Sequence, residues 1–377
     1  MSAPNAAAVR PRLTAVIASL GGGGAESVFV RLLERLARSF RIEIVVFEER
    51  NENAHVPERA GIPVRIVPKA GNKALFLLRL REAIRGTRPD VVLSFLVYSN
   101  IVVPLALLGT GIPLVLSERN NCRAQLASER RGAWKRRLLR FAFGRPNVRA
   151  ATAVSEGVAE MVREDFRPKA PVVAIPNGLD VEGLERAMAA ELAPDELALF
   201  GEQTVIACGR LSPQKNFALL LRAFAHGGPF SRKARLIVLG QGELEGELRA
   251  LAEELGIADR VALPGFRANP HAWISKATLF VLSSDFEGCP NALAEALFTN
   301  GCCVSTDCPT GPSELVEDGV DGLLVPPGDE KALSGAIETL LSDAALRARL
   351  SERARARAAR NTFETTTVEP YERLLRN

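Results

Sequence analysis

The chain has 377 residues, of which 47% are apolar and 24% charged, and its formal net charge is +4. This length exceeds that of a typical single core and favours two domains, while the composition is that of an ordinary globular protein. No apolar run approaches the roughly 20 residues that cross a bilayer. Residues 1–12 also lack the apolar segment of a signal peptide. The sequence therefore excludes a membrane-spanning chain and predicts a cytoplasmic one.

Short apolar runs rich in β-branched residues alternate with helical patterns along the whole chain. Seven such runs lie in the first half, at 13–19, 42–47, 64–67, 90–96, 113–116, 151–155 and 171–175. Six follow in the second half, at 204–209, 235–240, 260–265, 278–284, 301–306 and 322–325. Strands that alternate with helices predict parallel sheets covered on both faces. The predicted class is α/β, with two doubly wound, Rossmann-like domains.

The segment 176–203 ends one series of strands and leads to the next. We therefore place the first domain at 1–177 and the second at 178–357, with a helical tail, 358–377, that can pack back on the first. Ligands of such sheets bind at the carboxyl ends of the strands, and the cleft between two domains is the expected site.

The first candidate site is the glycine run "SLGGGGAES" at 19–27, which follows the first strand and precedes a helix. Bare backbone amides at a helix N-terminus suit an anionic or polar ligand. The run does not match the dinucleotide fingerprint, because Glu26 and Ser27 stand where a third glycine would be needed. A tight turn without a ligand is the alternative.

A basic stretch, "RRGAWKRRLLRFAFGRPNVR" at 130–149, interleaves cations with aromatic residues. Such a pattern predicts a membrane-facing helix, with a packed helix and a solvated arginine face as the alternative. Nucleic acid is disfavoured, because the aromatic residues have helix-core spacing and do not form a stacking platform. The residues expected to face the membrane are Arg130, Arg131, Trp134, Lys135, Arg136, Arg137 and Arg140.

In the second half, "CGRLSPQKN" at 208–216 predicts a strand, a turn and a helix from about Asn216. Arg210 and Lys215 flank the Ser-Pro turn. The planar fork of an arginine and the point charge of a lysine together suit a diphosphate, although loop cations are often only solvated.

Two acids bracket the start of a later helix in "SDFEGCPNALAEALFTNG", 283–300. Glu287 lies in the loop after a strand, and Pro290 fits the first helical position. At 100° per residue, Asn291, Glu295 and Phe298 share one face of the predicted helix. The opposite face is apolar, so we expect it to pack against the core. The two acids fit either structural ion pairs or acceptors for ligand hydroxyls.

The spacing of Glu287 and Glu295 resembles the E-x7-E pattern of the family 4 retaining glycosyltransferases, which have the GT-B fold. The segments "GGAE", "GRLSPQKN", "VLGQGELEGEL", "LPGF" and "TGPSELVEDGVDGLLVPPGD" resemble that family in the same order. The resemblance extends over nearly the whole chain and includes enzymes that build bacterial lipid-linked and cell-surface glycans.

The resemblance implies a role for each matching residue. Arg210 and Lys215 would bind the donor diphosphate and replace a metal ion, and Glu287 would contact the donor sugar. Glu295 would bind the ribose hydroxyls. The remaining donor-binding residues would be Gly23, Gly24, Phe266, Arg267, Gly288, Cys289, Pro290 and Asn291.

One position departs from the family, whose members often carry a histidine at the end of a first-domain strand. This chain has "LVLSERNN" there, at 114–121. We expect Glu118 to take a catalytic role and Arg119 and Asn120 to bind the acceptor. A capping Ser117 followed by a surface loop is the alternative.

These features predict a retaining hexosyl- or N-acetylhexosaminyltransferase, without metal or cofactor, that uses a nucleotide-sugar, with a UDP-sugar as the expected donor. The expected acceptor is a glycan that is linked to a lipid at the inner membrane face. Peripheral binding of the protein to that membrane is a second, separate hypothesis. The alternatives are a nucleotide-sugar epimerase of the same fold and a non-catalytic subunit that binds glycan or nucleotide-sugar. Six cysteines without a CxxC pair and three scattered histidines argue against zinc and disulfides.

Overall fold

The computed structural model describes residues 10–49, 52–127 and 129–376. Residues 1–9, which belong to the segment expected to lack a signal peptide, lie outside the described residues. Internal contacts divide the chain into a first unit, 1–177 with 364–377, and a second unit, 178–363. Each unit is built on one sheet.

In its described residues, the first unit contains seven parallel strands in the order β3-β2-β1-β4-β5-β6-β7. Every apolar run predicted in this half overlaps a strand, because a strand covered on both faces needs an uninterrupted apolar sequence. The strands are β1 (Arg12–Val16), β2 (Arg41–Val46), β3 (Val64–Ile66), β4 (Val91–Phe95), β5 (Leu114–Glu118), β6 (Val148–Ala153) and β7 (Val172–Ala174).

The second unit contains six parallel strands in the order β10-β9-β8-β11-β12-β13. Here too the predicted runs coincide with the strands. They are β8 (Thr204–Cys208), β9 (Arg235–Leu239), β10 (Val261–Gly265), β11 (Leu279–Leu282), β12 (Cys303–Thr306) and β13 (Leu323–Val325).

Helices connect the strands and cover the sheets. In the first unit they are α1 (Gly24–Leu36), α2 (His55–Arg59), α3 (Lys73–Gly86), α4 (Val97–Ala106), α5 (Cys122–Ala127), α6 (Gly132–Phe143) and α7 (Glu156–Phe166). In the second they are α8 (Val181–Met188), α9 (Pro194–Leu197), α10 (Phe217–Ala225), α11 (Glu245–Glu254), α12 (Pro270–Ile274), α13 (Asn291–Thr299), α14 (Pro312–Leu315), α15 (Glu330–Ser342) and α16 (Ala344–Ala358). The described part of the chain contains no helix long and apolar enough to cross a membrane.

The second sheet has an apolar core on each face, as its alternating strand residues require. On β8, Val205 and Ala207 belong to one core, which α10 and α15 complete. Ile206 belongs to the other, which includes Trp273 and residues of α13. Both acids of the E-x7-E pattern therefore stand next to rigid, packed elements.

The C-terminal tail returns to the first unit at Glu364, later than the sequence boundary at 358. The chain first pairs with the start of the second unit, where the Leu179 nitrogen donates to the Asn361 carbonyl at 2.7 Å and the Phe363 nitrogen donates to the Leu179 carbonyl at 2.8 Å. A π-helical turn and α17 (Glu369–Arg376) follow.

The described residues contain no disulfide, and four of the six cysteines are buried. Burial raises the pKa of Cys208, Cys302 and Cys308 to about 12. These thiols are therefore protonated at neutral pH and behave as small apolar residues.

Candidate functional site

Two neighbouring strands of the second sheet, β8 and β11, end in loops that carry the predicted donor-binding residues. Because parallel strands end at the same edge, Gly209–Asn216 and Ser283–Pro290 lie side by side. Lys215 and Glu287 form an ion pair there, with 2.6 Å between Nζ and Oε1. Their side chains are only 18% and 7% exposed. Lys215 and Glu287 are therefore an ion pair in the structure.

Hydrogen bonds fix Glu287 in this pair. The Ser284 hydroxyl donates to the same Oε1 at 2.7 Å, and the Gln214 amide reaches Oε2 at 3.5 Å. Both oxygens of this carboxyl group therefore act as hydrogen-bond acceptors. Removing Lys215 would leave that charge buried and unpaired, a change that costs about 3–5 kcal/mol in such pairs.

The two loops are also tied through their backbones. The Asp285 nitrogen donates to the Gln214 carbonyl at 2.9 Å, and the Ser283 hydroxyl donates to the Lys215 carbonyl at 2.9 Å. Asn216, which has a positive φ of 43°, caps α10 and donates its amide to Asp285 at 2.8 Å. The loop after β8 is thus rigid before any ligand arrives.

A third loop, which follows β12, contacts the loop that carries Glu287. The Thr310 hydroxyl donates to the Glu287 carbonyl. Gly311 has a φ of +98°, and a Cβ there would lie 2.8 Å from the Gly288 carbonyl oxygen. Only glycine combines this conformation with such a close approach. Residues 310 and 311 therefore set the shape of the turn at 287–290.

Arg210 differs from Lys215 in that its side chain is exposed and has no ion-pair partner among the described residues. Its backbone is held by the turn after β9, because Cβ atoms at Gly240 and Gly242 would lie 1.9 Å and 2.3 Å from the carbonyl oxygens of Gly209 and Leu211. A fixed backbone and a free guanidinium suit the binding of an anion.

Helix α13 begins at Asn291, so Pro290 is its N-cap and not its first residue as the sequence predicted. Pro290 offers no capping oxygen, in contrast to Asn216 on α10. Within α13 the predicted faces are correct: the side chain of Glu295 is 22% exposed, whereas Leu293, Ala296 and Leu297 are buried. Glu295 approaches His271 on α12, with 3.9 Å between Oε2 and Nε2.

The loop after β10 carries Phe266 and Arg267. The Phe266 side chain is 59% exposed, which leaves a flat apolar face available to a ligand. Arg267 is engaged within its own unit: it donates to the Pro264 carbonyl at 2.6 Å, lies 3.2 Å from Glu196 and covers the Trp273 ring. A role at the nucleotide base fits Phe266 better than the side chain of Arg267.

In the first unit, the glycine run leads directly into α1. Gly23 is the N-cap and Gly24 the first helical residue. The run is anchored by Asn53, whose amide donates to the Gly21 carbonyl. Gly22 and Gly24 are exposed. The glycine run thus follows β1 and leads into a helix N-terminus, as the sequence predicted.

The residues expected to take the place of a histidine, Glu118, Arg119 and Asn120, lie at the carboxyl end of β5. Glu118 is completely buried, and burial raises the pKa of its carboxyl group from 4.5 to about 7. Hydrogen bonds from Arg119, Asn100 and Asn120 lower the pKa, but by less than burial raises it. Arg119 is 6% exposed, and Asn120 is half-buried. This segment is therefore part of the packed sheet edge, which excludes the alternative of a surface loop.

Two family models match the chain in succession. "Glycosyltransferase Family 4" matches residues 22–182, and "Glycosyl transferases group 1" matches residues 190–357. The first range begins after β1 and includes the other six strands of the first sheet, and the second range includes all six strands of the second sheet. Together the two ranges span most of the chain. The chain belongs to the family 4 glycosyltransferases.

This glycosyltransferase is similar to two enzymes of Campylobacter jejuni. One is N-acetylgalactosamine-N,N'-diacetylbacillosaminyl-diphospho-undecaprenol 4-alpha-N-acetylgalactosaminyltransferase, at 29% identity over 92% of this chain and 94% of the relative. The other is GalNAc-alpha-(1->4)-GalNAc-alpha-(1->3)-diNAcBac-PP-undecaprenol alpha-1,4-N-acetyl-D-galactosaminyltransferase, at 27% identity over 95% and 96%.

Among solved structures, Anabaena HepE in complex with UDP superposes with a TM-score of 0.82 at 21% identity, over 97% of this chain and all of that one. The likeness establishes the fold. Both Rossmann-like units of the glycosyltransferase therefore follow the GT-B architecture, as the resemblance predicted.

The predicted membrane-facing helix corresponds to α6. Leu139, Ala142 and Phe143 pack into the core. Trp134 and Phe141 remain 55% and 47% exposed. Arg136, Arg137 and Arg140 are exposed beside them, and Lys135 pairs with Glu129. The helix thus has a core face and, opposite, an exposed aromatic and basic face.

Sequence reasoning missed several residues that shape these edges: Gln214, His271, Ser284 and Thr310 in the second unit, and Asn100 and Tyr371 in the first. Thr310 and Gly311 lie within the quoted "TGPSE" segment, which was the available signal. Among the described residues, no cluster of three His, Cys, Asp or Glu side chains could hold a metal ion.

The buried Glu118 predicts a pH-dependent stability. Because its pKa is higher in the folded protein, the folded state binds the proton more tightly. The resulting stabilisation is full below about pH 4.5 and is lost as the pH rises through about 7. Relative to the Glu118→Gln variant, the wild type should lose about 3 kcal/mol of unfolding free energy across that range. Urea titrations at several pH values measure this.

The matched control is Glu352→Gln, since Glu352 is exposed on α16. That variant should keep the wild-type pH dependence. Parallel pH profiles for the wild type and Glu118→Gln would contradict the raised pKa.

Proposed function

We propose that this glycosyltransferase moves a hexosyl or N-acetylhexosaminyl group from a UDP-sugar to a lipid-linked glycan, with retention of anomeric configuration and without a metal ion. The observation that carries the proposal is the edge of the second sheet, where Lys215 is locked onto Glu287 and Arg210 is exposed. The presence of UDP in the HepE structure supports a uridine nucleotide as the donor.

Arg210 and Lys215 supply the charge that the departing diphosphate needs. The Lys215 ammonium has three hydrogens, and the ion pair with Glu287 occupies one direction only, so the others remain for phosphate oxygens. As negative charge grows on the leaving UDP, fixed cations stabilise it without reorganisation. This arrangement supports a metal-independent reaction.

Glu287 is better suited to holding donor hydroxyls than to acting as a nucleophile. Its Oε1 already accepts from Lys215 and Ser284. A carboxylate so engaged is poorly available for attack on the sugar carbon. This favours a reaction in which the acceptor oxygen attacks on the face that UDP leaves, which retains the configuration.

Glu295 is placed for a second set of hydroxyls. It looks out from the partly exposed face of α13, and His271 lies nearby on α12. In the proposal its carboxylate accepts from the ribose hydroxyls, as the resemblance implies. The exposed ring of Phe266 provides a surface against which a nucleotide base can pack.

The acceptor side of the proposal is supported by the relatives, whose names specify undecaprenol-linked substrates. A lipid-linked acceptor requires access to a membrane surface. The exposed Trp134 and Phe141 of α6, with arginines beside them, fit the interface of an anionic bilayer. We propose that the enzyme binds peripherally to the inner face of the membrane through α6.

Transfer should depend on Lys215 and Glu295. With a panel of UDP-hexoses and UDP-N-acetylhexosamines and an undecaprenyl-diphosphate-linked saccharide, Lys215→Ala should lower the transfer rate at least ~100-fold, because one preorganised cation at the leaving group is lost. Glu295→Ala should mainly weaken donor binding. Product analysis by NMR should show an α-linkage, and excess EDTA should leave the rate unchanged.

Lys233→Ala is the control for Lys215→Ala, because Lys233 is an exposed lysine of the same unit. Wild-type rates in Lys215→Ala would contradict the site. Consumption of donor without any acceptor, and with epimerised sugar as product, would favour the epimerase instead.

Membrane binding should depend on the exposed charges of α6. In flotation with liposomes containing anionic phospholipid, the wild type should float, and the double variant Arg136→Glu/Arg137→Glu should not, because each cation near such a surface contributes about 1 kcal/mol. The control is Arg349→Glu/Arg353→Glu, which changes the net charge equally on exposed positions of α16. Failure of the wild type to float at low salt would refute this part of the proposal.

A further inference from the structure

The carboxyl edge of the first sheet contains buried polar atoms that its own structure leaves unsatisfied. Among the described residues, five buried polar atoms at this edge have no hydrogen-bond partner. They are Glu118 Oε2, Arg119 Nε, Asn100 Oδ1 and the hydroxyl oxygens of Ser94 and Ser99. These residues belong to the ends of β4 and β5 and to the start of α4. Folded proteins rarely leave such atoms unpaired, so their gathering here indicates a functional demand on this edge.

Backbone strain occurs at the same place. Leu96, which joins β4 to α4, has φ 75° and ψ 157°. That region is normally occupied by glycine, and other residues are held there mainly at functional sites. The strain and the unpaired atoms are independent observations that agree on one location.

Tyr371 brings the C-terminal helix α17 to this edge. Its side chain is fully buried. Its hydroxyl lies 2.8 Å from the Ser117 Oγ, 2.9 Å from the Thr152 Oγ1 and 3.3 Å from the Arg119 Nη1. Ser117 and Thr152 are paired on neighbouring strands, so the tyrosine reaches the face of the sheet that both side chains share.

The Arg119 guanidinium is held on three sides. It donates to the Tyr371 hydroxyl and to the Asn177 side-chain oxygen, and it covers the Phe95 ring at 5.0 Å. The Arg119 backbone nitrogen donates to the Glu118 carboxyl at 3.1 Å. The orientation of the Arg119 side chain therefore depends in part on a residue from the far end of the chain.

We propose that Tyr371 is a positioning residue for glycosyl transfer, whose hydroxyl holds the Arg119 guanidinium in the orientation that binds the acceptor. This inference rests on the proposed function, together with the expectation from the sequence that Arg119 binds the acceptor. The tyrosine acts only through Arg119. It should therefore affect the acceptor and leave UDP binding, which belongs to the second unit, unchanged.

The test is Tyr371→Phe, which keeps the ring in its buried site and removes the hydroxyl alone. The KM for an undecaprenyl-diphosphate-linked saccharide should rise by about 10-fold, since the loss of one hydrogen bond to a charged group weakens binding by about that factor or more. The Kd of UDP, measured by calorimetry, should not change.

The control is Thr152→Val, which removes another partner of the same hydroxyl and leaves the contact between Tyr371 and Arg119 in place. Both variants should lower the Tm by a similar few degrees. The control should keep the acceptor KM within about twofold of wild type. If both variants raise the KM equally, the hydroxyl is merely structural and the proposal is overturned.

NMR of the arginine side chains adds a readout that does not require turnover. The Arg119 signals, identified with Arg119→Lys, should show slow rotation of the Nη groups in the wild type and faster rotation in Tyr371→Phe. Unchanged rotation would overturn the proposal. A wild type that transfers no sugar would contradict the proposed function and this inference with it, whereas normal transfer by Tyr371→Phe would contradict this inference alone.

Discussion

The contact between Lys215 and Glu287 is the interaction on which the candidate donor site depends. It joins the loops after β8 and β11, and each partner would be a costly buried charge without the other. Neighbouring residues hold both loops in the conformation that this contact requires. Asn216 fixes the end of one loop, and Thr310 and Gly311 fix the turn of the other. An ion pair of this kind adds little net stability compared with an apolar pair, but it places a cation at a defined point, which catalysis at a diphosphate requires.

The polar groups at the corresponding edge of the first sheet are arranged differently. There the polar groups are buried and incompletely paired, and a tyrosine from α17 orders them. The chain thus contrasts an ion-paired edge at Lys215 and Glu287 with a strained edge at Glu118 and Arg119, where several buried polar atoms have no hydrogen-bond partner. The first arrangement suits a nucleotide that is bound in the same way in each cycle. The second arrangement suits a site whose unpaired polar atoms form hydrogen bonds only when a substrate binds.

The sequence allowed the sheets to be predicted closely, because strands covered on both faces need continuous apolar runs and such runs are visible in one dimension. Local geometry was also predictable, as the exposed face of Glu295 shows. Contacts between distant residues were not. Ser117 and Tyr371 are 254 residues apart, and no local pattern marks a tail tyrosine as the partner of a strand end. Arg210 and Lys215 were predicted as a pair, but the structure gives Lys215 a partner of its own and leaves Arg210 exposed. The prediction of Pro290 as the first helical residue was wrong by one position, because Pro290 is the N-cap, and such an error is typical of helix ends.

A double-mutant cycle on UDP binding tests most directly whether the ion pair organises the donor site. Calorimetry would compare the wild type, Lys215→Met, Glu287→Gln and the double variant. Glu287 acts on UDP through Lys215 in this account, because UDP lacks the sugar that the carboxylate would hold. The double variant should therefore bind UDP as weakly as Lys215→Met alone, within about 0.5 kcal/mol. Losses that add up in the double variant would show that the two residues act independently and would contradict the account.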